Sequence, residues 1–435
     1  MQFGPEDLRF FRLRESAGEV FAKISDSRQP GKVRYPVPDC LQSTLGMMYF
    51  QEPSLLSFQR SMQERIGSNN LQTLFGVKSI PSDSQMRSVL DEVDPEGIRP
   101  VFTEYVRRLQ RSKVLEDYRI LEGLYLVALD ASGYFGSEKV HCEGCLTKKR
   151  SDGSLHYSHQ ILQATLVKPG KAEVIPLAPE EIRNEDGTEK QDCEINAAKR
   201  RIRRLRQDHP QLPILLGGDG LYSKQPMIDA AKEARMHFLF VAKESDHAHL
   251  YEWIREQQHL GEVVQIERKD AKGRLHRYRF CRDVPIRAEA RADLVNWIDY
   301  ELKVGEKVTH RNSWVTDLVP TENNIEELVL AGRARWKIEN ETFNTLKNQG
   351  YHLEHNFGHG EKHLSFNFFS LNLLAFLLHQ IQQLTEPLYQ EARQKAGART
   401  RLWETLRALT QLILFPNWDS LIHSMVHGLP TPRAP

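Results

Sequence analysis

The sequence predicts an α/β protein flanked by helical regions, and three observations carry that prediction. Between residues 121 and 260, short apolar runs end in turn residues and alternate with stretches of helical periodicity. Residues 261–319 read as a series of β-strands with a hairpin signal. Both ends of the chain carry the 3.6-residue apolar repeat of helices instead. At 435 residues, there is material for about two to four structural units and a sizeable core.

In chain order, residues 1–120 read as a helical region broken at Pro30-Gly31 and at Pro36 and Pro38. SIPSDSQMRSVLDEVDPEG (79–97) is a clear helix: Ser82 or Asp83 caps its start, and Met86, Val89, Leu90 and Val93 form its apolar stripe. Val101–Leu109 follows, beside Arg107, Arg108, Arg111 and Lys113. From Leu121 the pattern changes. LYLVALD (124–130) is a strand ending in Asp130 before the turn-like Ala131-Ser132-Gly133, and QILQATLV (160–167) and AEVIPL (172–177) are two more. Glu194–Gln207 is a helix with Ile195, Ala198, Ile202 and Leu205 on one side. Lys199, Arg200, Arg201, Arg203, Arg204 and Arg206 make it the most basic stretch of the chain. Such a run is a solvated face or a track for a phosphate backbone.

LPILLGGDGLY (212–222) is a fourth strand ending in Asp219; a short helix to Arg235 leads to the strand HFLFVAK (237–243). In the block 261–319, GEVVQIERKD and LHRYRFCRDVPI flank a Lys272-Gly273-Arg274 turn, and VNWIDYELKV and NSWVTDLV add two strands. Its place between Asp219 and Glu339 marks it as an insertion. TENNIEELVLAGRARWKIENETFNTLKNQGYHL (321–353) reads as a helix, with Thr321 and Asn323 as candidate caps and Gly350 as its stop. Arg335 and Glu339 are four apart and share a face, whereas Glu341 points about 200° away from Glu339. A loop carrying His352, His355, His359 and His363 comes next, then an apolar helix at 364–382 and a helical tail over 383–435.

Composition narrows the function classes. Lysine plus arginine number 59 against 58 acidic residues, so a polyanion partner has to be met by local clusters. The start, MQFGPEDLRFFRLRE, has no long apolar core and no cleavage site, so no secretory signal is expected. The most apolar stretch, Leu364–Leu378, contains Ser365, Asn367, Ser370 and Asn372 and falls short of the roughly 20 residues of a membrane span. Five cysteines, an odd number, fit free thiols in a reducing cytoplasm.

The chemistry gathers on three acids. Asp130 and Asp219 end strands, and ends of adjacent strands in an open sheet converge. If 214–219 lies beside 124–129, the two aspartates become neighbours. Carboxylates pressed together repel unless a cation stands between them. Hard oxygen ligands suit Mg2+ or Mn2+, and Glu339 as a third acid completes a two-metal phosphoryl-transfer site. Each acid alone has a plainer reading: strand-end aspartates cap turns, and a helical Arg–Glu pair is ordinarily a surface ion pair. A second constellation is His141-Cys142-x-x-Cys145 with Cys193 and His156 or His159, a donor set for Zn2+; turn or buried cysteines are its plainer reading.

In combination, LYLVALDASGY (124–134), GGDGLY (217–222) and RWKIENETFNTLK (335–347) resemble the ribonuclease-H-like DDE transposases of bacterial insertion sequences, the cut-and-paste group with a β-strand insertion. The second motif keeps that family's Asp-x-x-Tyr, and the third its Arg-x-x-x-Glu followed by a lysine. The resemblance covers roughly 121–382. It implies a ribonuclease-H-like catalytic core over 121–382 with its insertion at about 261–319, a DNA-binding helical region over 1–120, and Mg2+-dependent cleavage and strand transfer at the ends of an insertion sequence. It also implies Asp130, Asp219 and Glu339 as catalytic metal ligands, Arg335 and Lys347 gripping phosphates, and a homodimer on double-stranded DNA. Arg200, Arg203 and Arg204 are the further candidate DNA contacts. A nuclease without strand transfer, or a DNA-binding derivative whose site is no longer used, would share these motifs. The chain departs from the family in two places: Gly332 stands where a tyrosine is usual, and Lys347 comes eight residues after Glu339, one more than usual. The histidines of 352–363 are expected in a polar loop near DNA. Trp297 or Trp314 would stack on a flipped base or, more plainly, pack within strands.

Overall fold

The computed structural model describes residues 4–58, 69–184, 192–289, 292–355 and 357–429. Its centre is one mixed sheet. The main strands are β1 (Leu124–Ser137), β2 (Leu146–Lys149), β3 (Leu155–Leu166), β4 (Ile214–Gly218), β5 (His237–Val241), β6 (Val264–Lys269), β7 (Leu275–Pro285), β8 (Leu294–Val304) and β9 (Lys307–Thr316), in the order β2-β3-β1-β4-β5-β9-β8-β7-β6. The short strands Ile175–Pro176 and Glu180–Ile182 run along β3 on its other edge, and Arg119–Ile120 pairs with β1. β1 and β4 pair in parallel, as do β4 and β5, while β1 and β3 are antiparallel. Val127, Leu129, Leu215, Leu216, Phe238 and Phe240 are all buried, because both faces of this part of the sheet are covered.

One difference from the sequence reading concerns β1. β1 does not end at Asp130: it runs on to Ser137 through a bulge between Gly133 and Phe135, held by β3. What ends near Asp130 is the parallel partner, whose last matched pair is Ala128 with Gly217. The β-rich insertion continues the core sheet. Its four-stranded meander joins the core sheet by antiparallel pairing of Trp314, Val315 and Thr316 with Val241, Phe240 and Leu239. Trp297 and Trp314 are buried at 2% and 1% exposure, so the packing reading of both holds.

The helices are α1 (Phe10–Phe21), α2 (Val37–Tyr49), α3 (Asn70–Phe75), α4 (Asp83–Glu92), α5 (Arg99–Arg111), α6 (Glu194–Asp208), α7 (Gln225–Glu233), α8 (Ala248–Leu260), α9 (Ile325–Ala334), α10 (Asn344–Asn348), α11 (Leu364–Thr385), α12 (Pro387–Ala396), α13 (Arg399–Leu412) and α14 (Trp418–His427). α11 is longer than the sequence pattern indicated. By length and composition it would cross a membrane, but 94% of its apolar window is buried inside the protein. It is the post around which both chain ends pack, with α2 and α4 from one end and α12 from the other. The two ends also meet directly. The Phe10 and Trp418 rings lie 4.4 Å apart, Tyr49 hydrogen-bonds Gln382, and the Asn70 amide donates to Thr410 O at 2.7 Å and Ile413 O at 2.8 Å.

Candidate active site

Parallel register places the first two acids. Ala128 is matched with Gly217, so Asp130, within β1, and Asp219, just past β4, each two residues further on, stand at the same level where the parallel pairing ends. The loop after β4 turns at once: Leu221 N donates to Asp219 Oδ1 at 2.8 Å, and Tyr222 folds back under the strand. A Cβ on Gly218 would stand 2.7 Å from the Tyr222 ring, so only glycine admits that close return. Tyr222, fully buried, donates its hydroxyl to Glu194 Oε1 at 2.6 Å.

The third acid arrives on the segment after α9. Arg335 Nη2 lies 2.8 Å from Glu339 Oε1 and its Nη1 3.6 Å from Asp130 Oδ2, so one guanidinium bridges the helical and strand acids. The exposed Trp336 also donates its indole N–H to Glu339. Burial pushes the Asp130 carboxyl up to about 7; Arg335 opposes this, and Glu339, Glu194 and Asp219 add to it. Burial likewise raises Glu194, with Tyr222 opposing and Asp219 adding. These four carboxylates therefore share one electrostatic pocket bridged by Arg335, an excess of negative charge that a cation relieves.

Glu194 is the member that the sequence reading missed. A signal was present: a crossover helix leading into a parallel strand begins at the carboxyl end of the sheet, so an acid in its first turn faces the strand-end aspartates. Glu194 is the first residue of α6.

The eight-residue spacing from Glu339 to Lys347 has a local cause. The helix is not continuous: Ile338–Phe343 is a π-helical turn between α9 and α10. A π-turn accommodates one extra residue in an α-helix, so eight residues here advance the helix about as far as seven would in regular α geometry. Lys347 thereby stays on the Glu339 side. It pairs with Glu354 at 2.9 Å and lines, with Gly133, Phe135, His156, Gln160 and Asp192, an open cavity of about 740 Å³. The second departure also has an occupant. A Cβ on Gly332 would lie 2.5 Å from the Trp314 indole, so the tryptophan of β9 covers this helix position. Asn324 rather than Asn323 stands at the helix start, exchanging hydrogen bonds with Thr321.

Most arginines of α6 are committed within the protein. Arg200 contacts Glu180 Oε1 at 3.0 Å and Asp192 Oδ2 at 2.6 Å, and Arg204 contacts Glu96 at 2.7 Å and Glu180 at 3.2 Å. Both are spent on internal ion pairs that hold α6 to its neighbours, and Arg201 is wholly buried beside Asp208. Arg203 alone of the three candidate DNA contacts on α6 is exposed. Cys142 and Cys145 lie together, but Cys193, exposed at the start of α6, is not with them. His159 and His359 complete the group, so His359, expected in a polar loop near DNA, is instead buried beside the cysteines.

An acid within β1, an acid just past the parallel strand β4 and an acid on a later helical segment stand in the chain order of a DDE site. Residues 182–378, which include Asp219, Arg335, Glu339 and Lys347, match the family described as the transposase DDE domain. The match spans 197 of the 435 residues, so just under half of the chain is similar to transposase DDE domains. The match begins after Asp130. No curated protein matches the chain.

Proposed function

We propose that this protein is a transposase that cuts double-stranded DNA at the ends of an insertion sequence and joins them to a target, in a divalent-metal-dependent reaction in the cytoplasm. The observation that carries the proposal is the gathering of Asp130, Asp219 and Glu339 at one end of the parallel pairing, with Arg335 between Asp130 and Glu339. In this reading residues 121–382 form a ribonuclease-H-like core. Its support is the order of strands, three antiparallel followed by two parallel, with β1 in the middle. Residues 1–120 serve as the DNA-binding region, 383–435 as a helical tail, and the protein works as a homodimer on DNA.

The acids fit a hard cation: all the donors are carboxylate oxygens, and burial, with the neighbouring acids adding to it, pushes the Asp130 carboxyl up to about 7. Asp130, Asp219 and Glu339 would hold Mg2+ or Mn2+, with Glu194 adding to the field. Bound there, such ions supply activation of a water or 3′-hydroxyl and stabilisation of the leaving oxygen. Arg335 is placed to hand its charge to a phosphate while steadying Glu339, and Lys347 to contact the strand along the cavity wall. Tyr222 positions Glu194 by donating to it.

The test is a gel assay on DNA carrying the inverted repeats that bracket the reading frame, resolving cut from joined product. Asp130→Asn, Asp219→Asn and Glu339→Gln are each expected to lower Mg2+-dependent cutting by roughly 10²–10³-fold or more, with melting and DNA binding retained. Glu341→Gln should cut normally. Cutting without joined product would leave the nuclease reading; activity in Glu339→Gln but not Glu341→Gln would move the third acid.

A further inference from the structure

We infer that Cys142, Cys145, His159 and His359 form a structural zinc site that fastens the segment after Glu339 to the sheet that carries Asp130. Zn–S bonds of about 2.3 Å and Zn–N bonds of about 2.0–2.1 Å in a tetrahedron imply edges of roughly 3.8 Å between sulfurs, 3.5 Å from sulfur to nitrogen and 3.3 Å between nitrogens. The corresponding separations are 3.9 Å for Cys142 Sγ to Cys145 Sγ, 3.5 Å and 3.4 Å from these sulfurs to His159 Nε2, 3.4 Å for Cys145 Sγ to His359 Nε2, and 3.1 Å between the two Nε2 atoms. Five of the six edges thus have the size zinc requires, and the sixth, from Cys142 to His359, lies within 4.8 Å.

The surroundings agree with this geometry. The far nitrogen of His359 is oriented as in a zinc-bound histidine, with Nδ1 2.7 Å from Gly360 O; His159 Nδ1 makes no hydrogen bond and has Glu181 Oε1 3.5 Å away. Cys142 N donates to Cys145 Sγ at 3.5 Å, which suits a thiolate, and Cys145 N closes the turn on Cys142 O at 3.2 Å. Phe135 packs on the His359 ring at 4.5 Å, and Cys145, His159 and His359 are buried. Four protein ligands with no open position make a closed, structural site. None of these residues belongs to the carboxylate cluster.

Connectivity gives such a site a mechanical role. Cys142 and Cys145 lie between β1 and β2, His159 is on β3, and His359 lies 200 residues later, between α10 and α11. Zinc would close that long loop and pin the connection beyond Glu339 and Lys347. The pin sits opposite Phe135 of β1, five residues and roughly 17 Å along the strand from Asp130. It would thereby fix the helical arm relative to the strand acids.

The experiment is metal analysis of the full chain purified under reducing conditions without DNA, which makes its outcome independent of the transposase reading. The expected result is one zinc per chain and a melting point that falls on prolonged chelation. Cys142→Ser and His359→Asn should each lose the metal, while Cys193→Ser keeps it. Cobalt reconstitution should give the intense visible bands of a tetrahedral thiolate site. If Cys142→Ser fails to fold, the wild-type metal content and the His359→Asn variant still decide. Metal-free protein whose melting ignores chelator, a Cys142–Cys145 disulfide in the protein as purified, zinc retained in both ligand variants, or zinc lost in Cys193→Ser would each overturn the proposal.

Discussion

At the scale of single residues, the arginines of α6 show how identical side chains are divided between structure and surface. Arg200 is held by two buried carboxylates, Glu180 and Asp192, so its removal leaves both without their cation. Charge reversal at Arg200 is therefore expected to lower the melting temperature, by the several degrees that about 2–3 kcal/mol represents. Arg203→Glu, on the exposed face, should leave melting within about 0.5 kcal/mol of wild type. It should weaken binding to end DNA and flatten its dependence on salt. Thermal melts beside salt-titrated binding separate the two; unchanged DNA affinity in Arg203→Glu would remove α6 from the DNA-contacting surface.

Among the elements, the N-terminus of α11 has an unusual cap. Asp91, on α4, accepts from the backbone N–H groups of Glu361, Lys362 and His363, which lead into α11, and of Leu364, its first residue, at 3.0–3.1 Å. Burial opposes ionisation, but these four donors hold the Asp91 carboxyl below the usual carboxylate range. A depressed folded-state value means that the contribution is complete above the unfolded value, near about 4, and is lost as pH falls through the folded one. Asp91→Asn should thus cost about 1 kcal/mol at neutral pH, after allowance for solvent screening, and show a shallower loss of stability in acid than wild type. Urea unfolding at pH 7 and in acid measures both.

The π-turn at Ile338–Phe343 makes a prediction of the same kind. Deleting Asn340, an exposed residue within it, would restore regular α geometry and keep Lys347 in phase with Arg335. The deletion should leave folding and DNA binding near wild type. A single-residue deletion in α10 should rotate the remainder of that helix by about 100° and reduce both. Equal damage from the two deletions would show that the π-turn does not set the register.

For the whole molecule, the chain ends depend on each other. Phe10, Tyr49 and Trp418 form one aromatic cluster with centroid separations of 4.4–5.2 Å, and Arg407 donates to Phe50 O and Gln51 O across the same seam. The N-terminal helices and the C-terminal tail, separate regions in the sequence reading, thus share one apolar seam. Truncation after Thr385 would leave that seam in water, losing roughly 1.5–3 kcal/mol for each large side chain uncovered. The truncated protein is expected to be insoluble or to melt far below the full chain. A truncation that melts as wild type would show the tail to be an appendage.

Local pattern alone determined much of this protein. Apolar runs with a period of two or 3.6 placed the strands and helices, and carboxylates at strand ends picked out Asp130 and Asp219, because these features depend on near neighbours in the chain. Partnership across long separations was left to the tertiary structure. Only parallel pairing could set Asp130 level with Asp219, and only the crossover of α6 could add Glu194. Nothing near His359 in sequence indicates a partner, since its contacts to Cys145 and His159 span 214 and 200 residues. The same holds for Trp314 over Gly332 and for the meander that extends the core sheet. Local propensity is set by a residue and its next few neighbours, whereas a site is made where distant segments are buried together, and burial is decided by the packed chain as a whole.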